Sequence, residues 1–362
     1  MTVSRETVRH IFDAGVAAAD PYAAVSKCLS GVARPAQIIA VGKAAVQMAR
    51  AALVVFPGVP TRVVTNYENA IDLPGATVMA AGHPVPDENG AAAVKAVLAD
   101  LAGVQGPVLA LISGGGSALL PAPVDGVSLS DKATLNTALL GAGLDITQMN
   151  LVRQQVSKIK GGGLLAAAAP QFVTALILSD VVGDDLSTIA SGPTAPPLGT
   201  AAEAVAVLKS ASIWADLPTS IRDHLGQNRA VPDLPDHRNV LVGSNAKSVV
   251  AMALASPDAH VLDPVEGDVA DAAQTICNAA GHGVTIWGGE TTVQLHGTGK
   301  GGRNQELALR IAMEARDRGW VDWTCLQGGS DGRDGPTDAA GGLVDEGTLE
   351  RIAAAGGDLG AL

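Results

Sequence analysis

The chain has 362 residues, of which 47% are hydrophobic and 17% are charged. This composition excludes a disordered chain, and the length is typical of two domains rather than one. Thirty-six acidic residues against 24 basic ones give a net charge of −12, which disfavours nucleic acid or an anionic membrane surface as a partner.

The first segment, MTVSRETVRHIFDAG, carries charged residues within its first ten positions and lacks the apolar core of a signal peptide. Cys28, Cys277 and Cys325 form no C-x-x-C pair, which fits a reducing compartment. The apolar run at 172–178 is too short to span a bilayer and predicts a buried strand. We therefore expect a cytoplasmic protein with no membrane partner.

A short apolar run that ends in Gly, Ser or Asp and is followed by a helical stretch recurs along the chain. The runs are QIIAVGKAA, TRVVTNYEN, LALISGGGSAL, TALILSDVVGDD, NVLVGSNAK, VTIWGGETT and TCLQGGSDG. Apolar strands that alternate with helices predict a mostly parallel sheet covered on both faces, and hence an α/β protein. In such folds, ligands bind outside the carboxyl ends of the strands.

Two helices and one linker can be delimited from the sequence. A helix is predicted over 87–103, with Asp87 and Asn89 as capping candidates, and another ends at Gly319. The polar, proline-containing stretch 227–239 separates two runs of strand–helix pattern and predicts a domain boundary near residue 235.

Lys43 follows the first strand, at a predicted helix N-terminus. An ammonium group beside the positive end of a helix dipole is unfavourable unless both share an anion, although an exposed loop lysine is the alternative. A loop of small residues follows a later strand, and its N–H groups could bind a phosphate. A tight turn explains this loop equally well, and the Walker A spacing is absent. The loop consists of Ser113, Gly114, Gly115, Gly116 and Ser117.

Carboxylates also follow predicted strands. Asp180 ends a strong strand and Asp184 follows it closely, an arrangement that suits Mg²⁺ bound by one or two carboxylates and nucleotide phosphates. Helix capping is the alternative for Asp184 and its neighbour Asp185. Glu290 follows two glycines, and Asp331 lies in an acidic loop that fails the spacing of a calcium loop.

Gly297, Gly299 and Gly302 match G-x-G-x-x-G, but the pattern lies far from the first strand–helix unit, where a dinucleotide fingerprint belongs. Arg303 comes directly after it, and a guanidinium beside a glycine loop is suited to carboxylate or phosphate oxygens. Glycine loops, a lysine, an arginine and strand-end carboxylates indicate phosphoryl transfer rather than hydrolysis, because that chemistry depends on positioning and charge neutralisation.

Seven segments in order resemble one family over about residues 3–345: VGKAA, GHPVPDENG, LISGGGSALLPAP, ILSDVVGDDLSTIASGPT, GGETTV, GKGGRNQELAL and GGSDGRDGPTDAAG. Together they are similar to class II glycerate 2-kinase, whose C-terminal part is called the MOFRL domain. The resemblance implies ATP-dependent phosphorylation of D-glycerate at its 2-hydroxyl to give 2-phosphoglycerate, with Mg²⁺ or another divalent cation.

The resemblance also implies two α/β domains with the active site in the cleft between them. We expect a larger Rossmann-like domain at 1–235, a smaller MOFRL-type domain at 236–362, and a monomer or homodimer. Family members commonly continue with a segment that contains a TGPTGTNV-like motif, which this sequence lacks. The smaller domain is therefore expected to be shortened.

Matched motif by motif, Lys43 and Arg303 are expected to bind the glycerate carboxylate and the transferring phosphate. Asp180 is expected to bind the metal or activate the 2-hydroxyl, and the loop 113–117 to hold phosphate. The remaining residues expected in the cleft are Glu290, Asn304 and Asp331.

Two alternatives stay open. Some members of this family are labelled hydroxypyruvate reductase, which would use a nicotinamide cofactor, and the glycine pattern at 297–302 is the sequence feature that favours it. The other alternative is a relative that binds glycerate or nucleotide without catalysis.

Overall fold

The computed structural model describes residues 4–227, 233–294 and 299–358. In these ranges the α-helices are α1 (Arg5–Ala18), α2 (Pro21–Cys28), α3 (Ala45–Val55), α4 (Glu88–Gly103), α5 (Gly116–Leu119), α6 (Leu129–Gly141), α7 (Ile146–Gln155), α8 (Gly163–Ala168), α9 (Ala201–Ser210), α10 (Thr219–Leu225), α11 (Asn245–Ala255), α12 (Val269–Ala279), α13 (Arg303–Asp317) and α14 (Thr348–Ala354). The strands are β1 (Gln37–Val41), β2 (Thr61–Asn66), β3 (Thr77–Ala81), β4 (Val108–Ile112), β5 (Val173–Leu178), β6 (His237–Gly243), β7 (His260–Val261), β8 (Val265–Asp268), β9 (Thr285–Ile286), β10 (Gly289–Thr292), β11 (Thr324–Gly328) and β12 (Gly341–Asp345). No helix within the described ranges combines the length and apolar character that a membrane crossing needs.

The chain divides into two compact units. The larger unit is Pro21–Val242, and the smaller unit combines Met1–Asp20 with Gly243–Leu362. This division differs from the predicted boundary near residue 235 in two respects. It keeps most of β6 in the larger unit, and it assigns α1 to the smaller unit, where α1 packs against α11.

The larger unit is built on one six-stranded sheet with the order β3-β2-β1-β4-β5-β6. The neighbouring pairs from β3 through β5 are parallel, with Ile38 of β1 opposite Thr61 of β2 and Leu109 of β4. The chain moves outward from β1 in one direction and then returns to add β4 on its other side. This confirms the predicted α/β class, and the order is that of doubly wound sheets.

Both faces of this sheet are covered, because the strands are apolar at successive positions. On one face, Ile39 and Val41 of β1 pack with residues of α4 and α8. On the other face, Ile38 and Ala40 of the same strand pack with α2 and α3. Alternate side chains of a strand point to opposite faces, so a continuous apolar run requires two layers of helices. Helices α6, α7, α9 and α10 contribute to a separate apolar cluster.

The ends of α4 follow the sequence closely, with one correction. Asp87 is the N-cap and accepts a hydrogen bond from the N–H of Gly90 over 2.9 Å. Asn89 lies inside the first turn, and its side chain donates to the hydroxyl of Tyr67, so Asn89 is not a cap. The helix ends at Gly103 as predicted.

The smaller unit is also α/β but carries only short strand pairs within the described residues. Parallel pairs join β8 to β10 and β7 to β9, and β11 pairs with β12 in antiparallel fashion. Its core lies mainly between α12 and α13, where Ile276 packs with Leu307 and Ile311. Cys277 and Cys325 belong to this core, as expected for small apolar residues.

Candidate active site

The carboxyl ends of β1 and β4 lie side by side where the strand order reverses. Val41 is opposite Ile112, and the N–H of Ser113 donates to the carbonyl of Val41 over 2.8 Å. Gly42 has a φ of +120°, and a Cβ there would overlap the hydroxyl and carbonyl oxygens of Ser113. The backbones therefore meet without an intervening side chain, at the crevice where doubly wound sheets bind ligands.

Lys43 lies directly beside the glycine loop, residues 113–117. Its N–H donates to the carbonyl of Gly114 over 2.9 Å, and its own carbonyl accepts from Nδ2 of Asn69 over 2.9 Å. These two bonds fix the backbone of Lys43, while its side chain is exposed and joins none of the ion pairs found among the described residues. Helix α3 begins two residues later, at Ala45, close to the predicted position.

The glycine loop is in contact with two distant segments of the same unit. A Cβ on Gly114 would overlap the carboxylate of Asp180, and a Cβ on Gly116 would lie 2.8 Å from the Cβ of Ala190. Side chains at these positions would have to displace both neighbours. The loop is therefore glycine-rich because other parts of the chain approach its backbone, in addition to its turn geometry.

Gly115 has a φ of +83°, which few residues other than glycine adopt. A Cβ there would lie 3.1 Å from Cδ2 of His83 and 3.2 Å from Cγ of Lys43. Burial lowers the pKa of His83, the charge of Lys43 lowers it further, and the carboxylate of Glu68 opposes both effects. His83 is therefore mainly neutral at neutral pH, and of these two side chains Lys43 carries the positive charge.

The acidic segment after β5 separates into residues with different partners. Asp180 is exposed and lies against the glycine loop. Asp185 accepts hydrogen bonds from the N–H of Ser187 over 2.9 Å and from its hydroxyl over 2.8 Å. These bonds close a local turn and do not cap a helix as the alternative predicted, because the next helical turn, Ile189–Ser191, begins after Thr188. Asp184 has a φ of +56°. No group of three or more potential metal ligands is found among the described residues, so the metal site at Asp180 and Asp184 stays a prediction.

Lys160 was missed by the sequence reasoning. Its ammonium donates to the carbonyl of Ser117 over 3.0 Å, to the hydroxyl of Ser117, and to the hydroxyl of Ser191 over 3.3 Å. The residue is only 6% exposed. The signal that could have revealed it is the sequence KIKGGG, in which a lysine directly precedes three glycines.

In the smaller unit, Arg303 is the first residue of α13 and forms an ion pair with Glu290. Its guanidinium nitrogen lies 2.7 Å from Oε1 of Glu290, and both side chains are close to half exposed. An exposed pair of this kind contributes little to stability. The guanidinium of Arg303 remains accessible for a carboxylate or phosphate.

Asn304 is buried in a hydrogen-bond network at the start of α13. Its amide nitrogen donates to Asp334 over 3.1 Å, and its amide oxygen accepts from Gln327 over 3.0 Å. Asp334 also accepts from the N–H groups of Asn304 and Gln305, at 3.0 and 2.7 Å, and so caps the helix. Asp331 is exposed in the same loop. Asp334 belongs to the acidic loop around Asp331 and was not among the predicted site residues.

The predicted site residues thus lie in both units. Lys43, the loop 113–117 and Asp180 are together in the larger unit, while Glu290 and Arg303 are together in the smaller one. A shared cleft stays a prediction. Gly297, on which the G-x-G-x-x-G pattern depends, lies outside the described residues.

Two family models match the chain. Residues 7–226 match a domain of unknown function, DUF4147, and residues 283–362 match the MOFRL family. The glycerate 2-kinase of Pyrococcus horikoshii is 35% identical, over 98% of this chain and 89% of that protein. A protein of Agrobacterium vitis named as a hydroxypyruvate reductase is 38% identical, over 98% of this chain and 86% of that protein.

A solved structure is similar in both fold and sequence. The crystal structure of the glycerate kinase of Thermotoga maritima matches with a TM-score of 0.87 and 34% identity, over 98% of this chain and 89% of that one.

Proposed function

This chain belongs to the class II glycerate kinase family, and from that membership we propose that it transfers the γ-phosphoryl group of ATP to the 2-hydroxyl of D-glycerate. The products are 2-phosphoglycerate and ADP. The 2-hydroxyl oxygen attacks the γ-phosphorus, the bond from that phosphorus to the β–γ bridging oxygen breaks, and ADP leaves with the electron pair.

The observation that carries this proposal is the placement of Lys43 and the glycine loop at the carboxyl ends of β1 and β4. The strand order reverses between these two strands, and ligands of doubly wound sheets bind there. The N–H groups of the loop provide dipoles for phosphate oxygens, and Lys43 provides a positive charge. Such fixed donors stabilise the charge that spreads over the transferring phosphoryl group.

Asp180 lies against Gly114, and its side chain is exposed to solvent. In this proposal it accepts the proton of the 2-hydroxyl or binds the divalent cation. An exposed carboxylate beside a phosphate-binding loop fits Mg²⁺, which commonly takes one or two carboxylates together with nucleotide phosphates. The cation, when bound, neutralises phosphate charge, and Asp184 is the candidate second carboxylate.

Arg303 is assigned to the glycerate carboxylate or to the transferring phosphate. Its planar guanidinium can donate two parallel hydrogen bonds to either group. Glu290 orients it through their 2.7 Å ion pair. This role requires that the two units approach each other around substrate, which is how kinases commonly exclude water.

We assign the protein to the cytoplasm, because its three cysteines are free.

The test is ADP production that depends on both D-glycerate and Mg²⁺. Lys43→Ala and Arg303→Ala should each lower kcat/KM by about 100-fold, the scale for one fixed donor to a transition-state charge. Lys95→Ala and Arg316→Ala are matched controls, since Lys95 is an exposed lysine of the same unit and Arg316 lies at the far end of α13. Full turnover in both test variants would refute the assigned roles.

A second function is favoured by the name of the Agrobacterium vitis relative. A hydroxypyruvate reductase would oxidise NADH in the presence of hydroxypyruvate and would need no ATP. Constant NADH absorbance, measured beside ATP-dependent activity on glycerate, would exclude this function. Binding of ligands without either activity would indicate a relative that has lost catalysis.

A further inference from the structure

Three basic side chains of the larger unit lie near one another, and none of them joins an ion pair among the residues that the structure describes. We call Lys132, Arg153 and Lys160 the cationic cluster. They come from α6, from α7 and from the segment before α8. The chain therefore brings them together through packing, not through sequence proximity.

The hydrogen-bond partners of the cluster are neutral oxygens. Lys132 donates to the carbonyl of Pro121, and Arg153 donates to the amide oxygen of Asn136. Lys160 donates to the carbonyl and hydroxyl of Ser117 and to the hydroxyl of Ser191. These bonds satisfy donors but do not neutralise charge.

None of the ion pairs found among the described residues includes a member of the cluster. The acidic residues nearest in sequence to Lys132 form their hydrogen bonds and ion pairs with residues outside the cluster. Asp131 accepts from the N–H of Ser128 over 3.1 Å and from the hydroxyl of Ser220 over 2.9 Å. Asp125 pairs with the neighbouring Lys158 at 2.5 Å.

The energetic effect of this arrangement appears in the pKa values. Burial lowers the pKa of Lys160 well below its usual range, and the charges of Lys132 and Arg153 lower it further. Burial, followed by the charge of Arg153, lowers the pKa of Lys132 to about 7. Buried charges in proteins are normally paired, because an unpaired one costs several kcal/mol. An anion is the partner that this cluster lacks.

The cluster is continuous with the glycine loop through Ser117. The hydroxyls of Ser117 and Ser191 lie 3.0 Å apart, and Ser191 donates to Asn150 over 3.3 Å. Ala190 and Ser191 have φ of +51° and +62°, a conformation that is strained for residues with a side chain. Such a conformation persists only where surrounding contacts stabilise it. One such contact is the hydrogen bond that the side chain of Gln154 donates to the carbonyl of Ser191 over 3.3 Å.

We propose that the cationic cluster is an oxyanion site, in which Lys132 and Arg153 contact a phosphate group and Lys160 positions the hydroxyl of Ser117 toward it. When the bound anion holds all three groups protonated, their charges match a phosphate dianion better than a single carboxylate. The phosphate belongs either to the nucleotide, in which case the site rests on the proposed kinase function, or to free inorganic phosphate.

The test is calorimetric binding of ADP and, separately, of inorganic phosphate at about pH 8. Lys132→Met and Arg153→Met should weaken binding by about tenfold or more, as expected for losing one charge-assisted contact. Lys158→Met is the matched control and should bind as the wild type does, because Lys158 pairs with Asp125. Equal affinities in all four proteins would overturn the proposal.

Proton uptake gives a readout that requires no variant. Lys132 is mostly neutral at about pH 8, and a bound anion favours its charged form, so binding should take up about one proton or more. Comparing binding heats in two buffers with different ionisation enthalpies measures this uptake. Lys160→Met, which removes the positioning residue, should lower the uptake as well as the affinity. Absence of uptake in the wild type would overturn the proposal.

The two ligands identify the source of the phosphate. If Lys132→Met and Arg153→Met weaken ADP binding and the wild type shows no measurable binding of inorganic phosphate, the site binds the phosphate of the nucleotide. If the two variants weaken the binding of inorganic phosphate and leave that of ADP unchanged, the site binds the free ion. Neither measurement uses glycerate turnover. If the protein shows no kinase activity but anion binding still depends on Lys132 and Arg153, only the proposed function is therefore rejected.

Discussion

Replacing Lys132 by methionine should change how the stability of the protein depends on pH. Burial holds the pKa of Lys132 at about 7, against an ordinary value of 10.5 in the unfolded chain. Between these two pH values the unfolded state binds the proton and the folded state does not, so protonation favours unfolding. The destabilisation by Lys132 is therefore complete below pH 7, decreases as pH rises, and disappears above the ordinary pKa.

The magnitude follows from the size of this shift. A difference of 3.5 pKa units corresponds to about 5 kcal/mol at low pH, at about 1.4 kcal/mol per unit. About 2–3 kcal/mol of this disappears between pH 6 and pH 9 according to the linkage relation. The Lys132 side chain is partly exposed although its ammonium is desolvated, so solvent screening makes about 2 kcal/mol the better expectation.

The measurement is the free energy of unfolding by urea at several pH values, in buffers that contain no phosphate. Methionine keeps the length of the side chain and loses the hydrogen bond to Pro121, a cost that does not depend on pH in this range. The difference between Lys132→Met and the wild type should therefore shift against the variant by about 2 kcal/mol as pH rises from 6 to 9. With Lys158→Met as the control, a constant difference or a shift of opposite sign would refute the reasoning.

Three further outcomes are expected. Gly114→Ala should lower kcat/KM for glycerate phosphorylation by about tenfold or more, because the added methyl group displaces Asp180 from the loop. Asp334→Ala should lower the free energy of unfolding by about 2–4 kcal/mol in urea titrations, since it removes the buried cap of α13. A thiol-disulfide exchange reagent at about pH 8 should leave Cys277 and Cys325 unmodified in the folded protein, because burial raises their pKa values to about 11 and about 12.

Each of these has a control and a contradicting result. Gly31→Ala is the control for the first, since neither Gly31 nor Gly114 has a positive φ and a Cβ at Gly31 would meet open space; equal losses in both variants would indicate a general folding defect. Asp331→Ala, an exposed acid of the same loop, should leave stability nearly unchanged. Rapid modification of either cysteine in native protein would contradict the burial argument.

Much of the fold could be predicted because the signals are local. Apolar runs such as 37–41 and 108–112 are buried along their whole length, and each is a strand of the central sheet. The alternation of side chains across a strand converts such a run directly into a sheet covered on both faces. The N-cap at Asp87 was equally local, since it depends on residues within one turn of the helix.

The site could be predicted only in part. Lys43 and the glycine loop were identifiable because each directly follows a strand, and parallel strands place such residues at one edge. Lys160 and Asp334 were not predicted, because neither follows the end of a strand in a recognisable motif. The hydrogen-bond partners of each come from segments that are distant in sequence.

The sequence by itself determined the α/β class, the strands, and the positions of the loops that follow them, since periodicity and turn chemistry depend on neighbouring residues. Only the tertiary structure decided which of those loops touch. It set Asp180 against Gly114 and brought Lys160 to Ser117 across 43 residues. It also placed Lys132, Arg153 and Lys160 near one another, with no ion pair to an acid among the described residues. Such contacts depend on how helices and strands pack, and local patterns carry no information about that packing.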